Sequence, residues 1–277
     1  MAVNKKALKK NKKKQYNKTL FYSFILLTIS IIILFLYQYK DAILYYLSFK
    51  SKHNNLPVKE KIHQAHIYEV LNSHKDCVFG FDVSQYQGYI NWDNIGYLNN
   101  NYQMKFVFIR ATAGNNKKDT KYNYNWKKSK ENNYIRGAYH YYRPNENSVE
   151  QAKFFIENVK LVKGDLPPVL DIEKLPQTQS LDSLKVGLKR WLKMVEKHYN
   201  VKPIVYSGES YYTDFLKDEF SSYPLWIANY NFWRKSPEDD WKFWQFTEKG
   251  VVNGVSTYID INLYNGNILS LNELRIK

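Results

Sequence analysis

Cysteine is nearly absent from the chain, with Cys77 alone among 277 residues. An intramolecular disulfide is therefore excluded, and the fold must be held by its core in any redox compartment. No base or orienting group accompanies Cys77, so it reads as a small apolar residue at a strand entrance rather than a nucleophile. Acidic residues are missing from positions 1–18, which carry eight lysines, and charge of either sign is missing from Thr19 to Tyr39, a run of 21 residues. Internal repeats are missing too, and the lysine block is the only low-complexity tract. What is abundant is apolar and ring-bearing: 44% hydrophobic and 17% aromatic residues exclude a disordered chain and leave room for one large domain or two small ones.

The uncharged run includes Ile29-Ser30-Ile31-Ile32-Ile33-Leu34-Phe35-Leu36. As a helix it would span about 32 Å, enough for the hydrocarbon core of a bilayer. The apolar stretch of a signal peptide is usually shorter, and no small-x-small cleavage site follows Tyr39, so an uncleaved anchor is expected over 19–39. The lysines precede it, which places residues 1–18 in the cytoplasm and everything after Lys40 outside, on the periplasmic or cell-wall side of the cytoplasmic membrane. Of the net charge of +15, eight units sit in that block, leaving +7 for the remainder. A surplus of that size suits an anionic polymer outside the cell about as well as a phosphate backbone, and the topology argues against nucleic acid as a partner.

Residues 40–76 are polar, lysine-rich and partly helical in pattern, and are expected to form a juxtamembrane stalk. They hold four of the six histidines, His53, His63, His66 and His74. His63 and His66 fall one helical turn apart, but no carboxylate or cysteine completes a metal set, so no metal is expected there.

From Cys77 onward the pattern changes to short runs of Val, Ile, Phe and Tyr bounded by turn formers. Eight strands are expected: Val78 to Val83, Phe106 to Ala111, Ile135 to Tyr141, Pro168 to Ile172, Pro203 to Ser207, Leu225 to Asn229, Phe243 to Phe246 and Tyr258 to Ile261. Val149, Ala152, Phe155, Ile156 and Val159 recur at helical spacing behind a Ser148-x-x-Gln151 capping box, with Gly164 beyond the end. Leu181, Leu184, Leu188, Trp191, Leu192 and Val195 form a second apolar face opened by Ser180. Alternating strands and helices imply an α/β fold with a parallel sheet, and eight strands in about 200 residues suggest a TIM-like (β/α) barrel over 77–277. The last three strands are too closely spaced for full helical crossovers, so the barrel should be irregular at its C-terminal end.

In such a barrel the working groups sit at the carboxyl ends of strands. Asp82, the Asp171-Ile172-Glu173 triplet and Asp260 are acids at expected strand ends. Residues i and i+2 of a strand share a face, so Asp171 and Glu173 should point together into the barrel mouth while Ile172 packs outward. Two carboxyls held close in a partly dry site cannot both ionise freely, and one is expected to keep its proton as a general acid requires. Glycoside cleavage needs such an acid together with negative charge, or an internal nucleophile, at an oxocarbenium-like centre. Rings cluster in or just after the strands: Tyr139, Tyr141, Tyr142, Tyr206, Trp226, Tyr230, Trp241 and Trp244. With the Gln245 amide they could stack on and hydrogen-bond a sugar, although each ring alone is more often core. His140 alternates with Tyr139 and Tyr141 and reads as a core histidine.

Taken in order, Gly80-Phe81-Asp82-Val83-Ser84-Gln85-Tyr86-Gln87-Gly88 with Ile90-Asn91-Trp92, Phe108-Ile109-Arg110-Ala111-Thr112, Gly137-Ala138-Tyr139-His140-Tyr141, Pro167-Pro168-Val169-Leu170-Asp171-Ile172-Glu173, Leu225-Trp226-Ile227-Ala228-Asn229-Tyr230, Trp244-Gln245-Phe246 and Ile259-Asp260-Ile261-Asn262 resemble the glycoside hydrolase family 25 lysozymes, the Chalaropsis-type muramidases. The resemblance implies an irregular barrel with fewer outer helices and hydrolysis of the β-1,4 bond between N-acetylmuramic acid and N-acetylglucosamine in peptidoglycan, without a cofactor. By matching position it implies Glu173 as general acid/base and Asp171 as support for the substrate's acetamido group in a retaining, substrate-assisted route. Asp82 and Asp260 would shape the electrostatics and hold the sugar or a water, and Tyr139, Tyr206, Trp226, Tyr230 and Gln245 would contact substrate. The chain departs from the family at Ala113, where an acid or amide is common, and at Asn91, where an aspartate is usual; these bear on subsite preference. A catalytically silent wall-binding module on the same fold is the alternative. A chitinase-like barrel would need further acids where this chain has Val169 and Pro167.

Overall fold

The computed structural model describes the chain apart from residues 1, 41, 45, 46, 48–56, 99–101, 232 and 233. It divides into two compact units, Met1–Glu69 and Val70–Lys277. In the first, helix α1 (Ala2–Gln38) contains Tyr16–Gln38, 23 residues of mean hydropathy 2.5, long and apolar enough to cross a membrane. Phe24, Leu26, Leu34 and Tyr37 are all exposed, so this stretch is apolar on every side rather than along one stripe, the pattern of a membrane anchor or a signal sequence. Helix α2 (Val58–Ser73) occupies much of the expected stalk, and the break between the two units falls within it. His63 and His66 both lie on α2, where burial and then the neighbouring His63 push the His66 imidazole down to about 4. His53 lies outside the described residues.

The second unit is a closed barrel. Its eight principal strands are β1 (Val78–Val83), β3 (Tyr102–Ala113), β5 (Ile135–Tyr141), β6 (Val169–Asp171), β7 (Ile204–Gly208), β8 (Leu225–Ala228), β9 (Phe243–Gly250) and β10 (Ile259–Tyr264). They run in the order β1, β10, β9, β8, β7, β6, β5, β3, and β1 pairs with β3 to close the ring. Two short strands, β2 (Tyr97–Leu98) and β4 (Lys117–Lys118), pair with β3 as hairpins. Pairing is parallel from β1 through β3, β5, β6, β7 and β8 to β9, while β10 is antiparallel to both neighbours. The expected irregularity therefore lies at β10, because eight residues between β9 and β10 cannot make a helical crossover and return the chain as a hairpin.

Outside the sheet lie α3 (Tyr122–Glu131), α4 (Ser148–Asn158), α5 (Leu181–Tyr199), an irregular helical stretch over 209–220 and the C-terminal α6 (Ile268–Leu274). Leu184, Leu188, Trp191, Leu192 and Val195 of α5 are all buried, as the apolar spacing requires, and Ser180 caps the helix by accepting from the Ser183 N–H at 3.1 Å. The start of α4 differs from expectation. Asn147, not Ser148, is the cap and accepts from the N–H groups of Val149 and Glu150, while Gln151 turns inward instead of closing a capping box. Gly164 is likewise no helix terminator: α4 ends at Asn158, and Gly164 sits in a later turn with φ +96° against Arg275.

Inside the barrel, alternate residues of each strand converge on Val78, Phe106, Phe108, Val169, Ile204, Trp226 and Phe243, all buried. Phe108 stacks on Trp226 with centroids 4.5 Å apart. The rings fit because their strand partners are glycines: a Cβ on Gly80 would lie 2.5 Å from Phe106, and one on Gly137 would lie 2.6 Å from Phe108.

Candidate active site

The same alternation that fills the barrel floor builds the site above it. Counting two residues at a time along each interior face, Val169 leads to Asp171 and Glu173, Gly80 to Asp82, Phe108 to Arg110, Gly137 to Tyr139, Ile204 to Tyr206 and Phe243 to Gln245. Asp82, Tyr139, Asp171, Glu173, Tyr206, Trp226, Tyr230, Gln245, Glu248 and Asp260 together line one cavity of about 210 Å³. All nine of the site residues expected from sequence meet there, with Glu248 added. Asp260 belongs to this rim for a reason other than the one expected. It begins β10 rather than ending it, and the reversed direction of that strand brings its first residues to the rim where the parallel strands end.

The backbone of the triplet is held from both sides. Asp171 O accepts from Tyr142 N at 2.8 Å, Ile172 N donates to Tyr206 O at 3.0 Å, and Ser207 Oγ donates to Ile172 O at 2.7 Å. Ile172 is fully buried and packs away from the cavity. Asp82 Oδ2 accepts from Gln245 Nε2 at 2.7 Å and Asn262 Nδ2 at 2.8 Å, and Gln245 Oε1 accepts from the Tyr206 and Tyr230 hydroxyls at 2.8 and 2.5 Å. Asn262 Oδ1 in turn accepts from Trp226 Nε1 at 2.8 Å. Among the described residues, buried Asp171 Oδ1 has no hydrogen-bond partner.

The sequence profile of glycosyl hydrolases family 25 matches residues 81–255, a stretch that carries most of this barrel, from within β1 to the end of β9. The chain belongs to that family. Relatives include YegX of Escherichia coli (strain K12), an uncharacterized protein 38% identical over 198 residues, covering 70% of this chain and 72% of that one. Lysozyme M1 of Streptomyces globisporus is 32% identical over 209 residues, 70% of each protein. The solved structure of a family 25 glycosyl hydrolase from Bacillus anthracis superposes with a TM-score of 0.65 at 32% identity, covering 72% of this chain and 94% of that one. The chain is a glycoside hydrolase of the lysozyme and muramidase group, a peptidoglycan-hydrolase family.

Electrostatics in this family 25 barrel are dominated by acids crowded into a dry cavity. Burial pushes Asp171 well above the usual carboxylate range, with the charges of Glu173 and Asp82 adding to the effect and Arg110 opposing it. Burial also raises Asp82, to about 7 despite its two amide donors, and Asp260, to about 9 with the nearby Asp82 contributing. Glu173 is raised by desolvation, moderated by Lys174 and then Arg110. It lies at the solvent-facing mouth of the cavity yet is crowded enough by protein to hold its proton more tightly than a free glutamate.

Not every ring of the hydrolase serves the cavity. Trp241 and Trp244 are buried elsewhere, donating to Ser236 Oγ and Asn229 O, and Tyr142 packs against Gly187. Trp226 lines the cavity but is 2% exposed and stacked in the core, so it forms its floor more than a platform. Gln245 has its amide committed to Asp82 and two tyrosines, a bracing arrangement. His140 is a core residue as expected, bonded to Thr112 Oγ1 at 2.7 Å and Gln151 Oε1 at 3.2 Å, and burial holds it neutral with a pKa lowered to about 3. Asn91 begins a short turn, Trp92–Asn94, outside the cavity lining. Besides Glu248, two participants were absent from the site residues expected from sequence, Asn262 and Arg110. Each stands two residues from an interior residue already identified, Asp260 and Phe108, and that spacing was the available signal.

Proposed function

We propose that this hydrolase cleaves the β-1,4 bond between N-acetylmuramic acid and N-acetylglucosamine in peptidoglycan, with retention and with help from the substrate's acetamido group. The observation that carries the reading is the pairing of a buried, unpartnered Asp171 Oδ1 with Glu173 at the mouth of the same cavity. An orphaned buried acceptor costs about 1–3 kcal/mol unless a ligand donor satisfies it. An acetamido N–H is a donor of the right kind. Glu173, its proton held by crowding, would protonate the glycosidic oxygen as the C1–O bond breaks, and the acetamido carbonyl oxygen would bond to C1 while its N–H leans on Asp171. The Glu173 carboxylate would then take a proton from water attacking C1, which releases the acetamido group and restores both carboxyls. Asp82 and Asp260 would keep net charge in the cavity low by sharing protons, and Tyr139, Tyr206 and Tyr230 would line the sugar's edge.

The segment 19–39 would serve as a single-pass anchor with the eight lysines in the cytoplasm, a short segment 40–76 spacing the barrel from the membrane and residues 77–277 acting on wall outside it. Mass spectrometry of digested peptidoglycan tests the chemistry. Fragments ending in reducing N-acetylmuramic acid are expected; N-acetylglucosamine ends, anhydro-muramic ends, or no fragments where a control muramidase yields them would defeat the proposal.

A further inference from the structure

The acidic cavity adjoins two further hollows through shared lining residues, and along the three the ionisable side chains change from acids to bases. Glu173 also borders a wider groove of about 720 Å³ that it shares with Tyr141, Arg143 and Lys174, and those three in turn border a further hollow of about 320 Å³. In the first cavity every charged lining residue is an acid: Asp82, Asp171, Glu173, Glu248 and Asp260. In the last, Arg110, Lys117, Arg143 and Lys174 face a single acid, Asp119. Because burial keeps protons on acids of the first cavity, the unbalanced charge of the run lies at its basic end, where it draws the anionic groups of a ligand.

The cationic hollow is built, not merely decorated with surface lysines. Arg110 is clamped by Asp119, Nε to Oδ2 at 2.9 Å, and its guanidinium lies 4.6 Å from the centroid of the Tyr86 ring. Asp119 is further fixed by accepting from Gln85 N and Lys121 N, both at 2.9 Å. On the opposite wall Glu146 binds Arg143 at 2.9 Å with one oxygen and the Asn115 N–H at 2.7 Å with the other. That second bond fastens the turn between β3 and β4, in which Ala113 pairs with Lys117. Two guanidinium groups are thus oriented by carboxylates, while Lys117 and Lys174 have no ion pair among those found for the described residues. Ala113 leaves the floor between them small and uncharged.

We infer that this hollow binds the free carboxylates of the peptide stem attached to the muramic residue, making Lys117, Arg143 and Lys174 determinants of preference for peptide-bearing over peptide-free glycan. The inference rests on the muramidase reading, since the stem branches from the sugar that the acidic cavity would hold. While the stem is attached, the lactyl carboxyl of the muramic residue is tied up in an amide. The anions left for Lys117 and Lys174, which have no ion pair among the described residues, and for the two oriented guanidinium groups are the stem's own: a free carboxylate on its glutamyl unit and another at its C-terminus.

The test compares the whole chain in detergent with its Lys117→Glu variant on soluble peptidoglycan strands and on the same strands stripped of peptide by an amidase, which leaves one lactyl carboxylate on each muramic residue in place of the stem's more distant carboxylates. Lys117 is exposed on a two-residue strand, so the variant should fold, and a thermal melt checks it. The expected result is a ratio of kcat/KM values favouring peptide-bearing strands about tenfold, reduced about fivefold in the variant and reduced likewise in wild type by high salt. A wild-type ratio near one, or a ratio indifferent to Lys117→Glu, overturns the inference. Titration with the isolated acidic tetrapeptide separates the two readings. Peptide binding that Lys117→Glu abolishes, without turnover of either glycan, sustains the hollow and defeats the muramidase; no peptide binding defeats the hollow whatever the turnover.

Discussion

Asp82 and Asp260 stand opposite each other across the antiparallel β1–β10 pair, and their carboxyls share a hydrogen bond inside the cavity. Burial raises one to about 7 and the other to about 9, so at neutral pH Asp260 keeps its proton and donates it to Asp82. Folding therefore increases proton affinity at Asp260 over the ordinary value of 3.8. The associated stability is fully present below about pH 4 and declines as pH rises toward about 9. Asp260→Asn cannot lose a proton and should remove that decline. Denaturant melts are expected to show the variant about 2 kcal/mol more stable than wild type at pH 8 and no more stable at pH 4.

Glu173→Gln keeps the shape of the site and removes the transferable proton. Reducing-end release should fall by at least about 10³-fold in kcat, with affinity for glycan fragments retained. Asp171→Asn places an amide where an N–H must be accepted and should cost about 10²-fold in kcat. If Asp171→Asn were as active as wild type, the acetamido-assisted route would be untenable.

Lys174 lowers the proton affinity of Glu173. A general acid works only while protonated, so activity is lost as pH rises through the Glu173 pKa. In Lys174→Met that cation is gone, and the alkaline limb of the kcat/KM profile should move to higher pH. A limb that stays in place would assign the titration to another group.

Gly80→Ala tests the packing beneath the site. The added methyl meets the Phe106 ring at 2.5 Å, and the ring is locked among Phe108 and Phe243. Destabilisation of about 1–3 kcal/mol is expected by thermal or urea unfolding.

Much of this molecule is legible in order along the chain. The charge-free run after the lysines marks α1, period-two alternation marks the strands, and i, i+2 spacing puts Asp171 and Glu173 on one face, since these are properties of a few consecutive residues. Helix caps were less legible at α4, where Ser148-x-x-Gln151 has the spacing of a capping box but His140 and the Arg143 backbone hold Gln151 inward and Asn147 is the cap.

Sequence by itself determined which residues could reach the barrel interior, because pleating assigns every second side chain to one face whatever the strand's partners. Tertiary structure alone decided which of them meet. Asp260 reaches the acidic rim because β10 runs against its neighbours. Gln245 is tied up as a brace because Asp82 arrives from β1, Tyr206 from β7 and Tyr230 from the loop after β8. Arg110 stands beside the acids with Asp119 at its back because a hairpin returns the chain beside β3. Each of these depends on strand order and direction, and those are set by barrel closure between residues far apart in the chain.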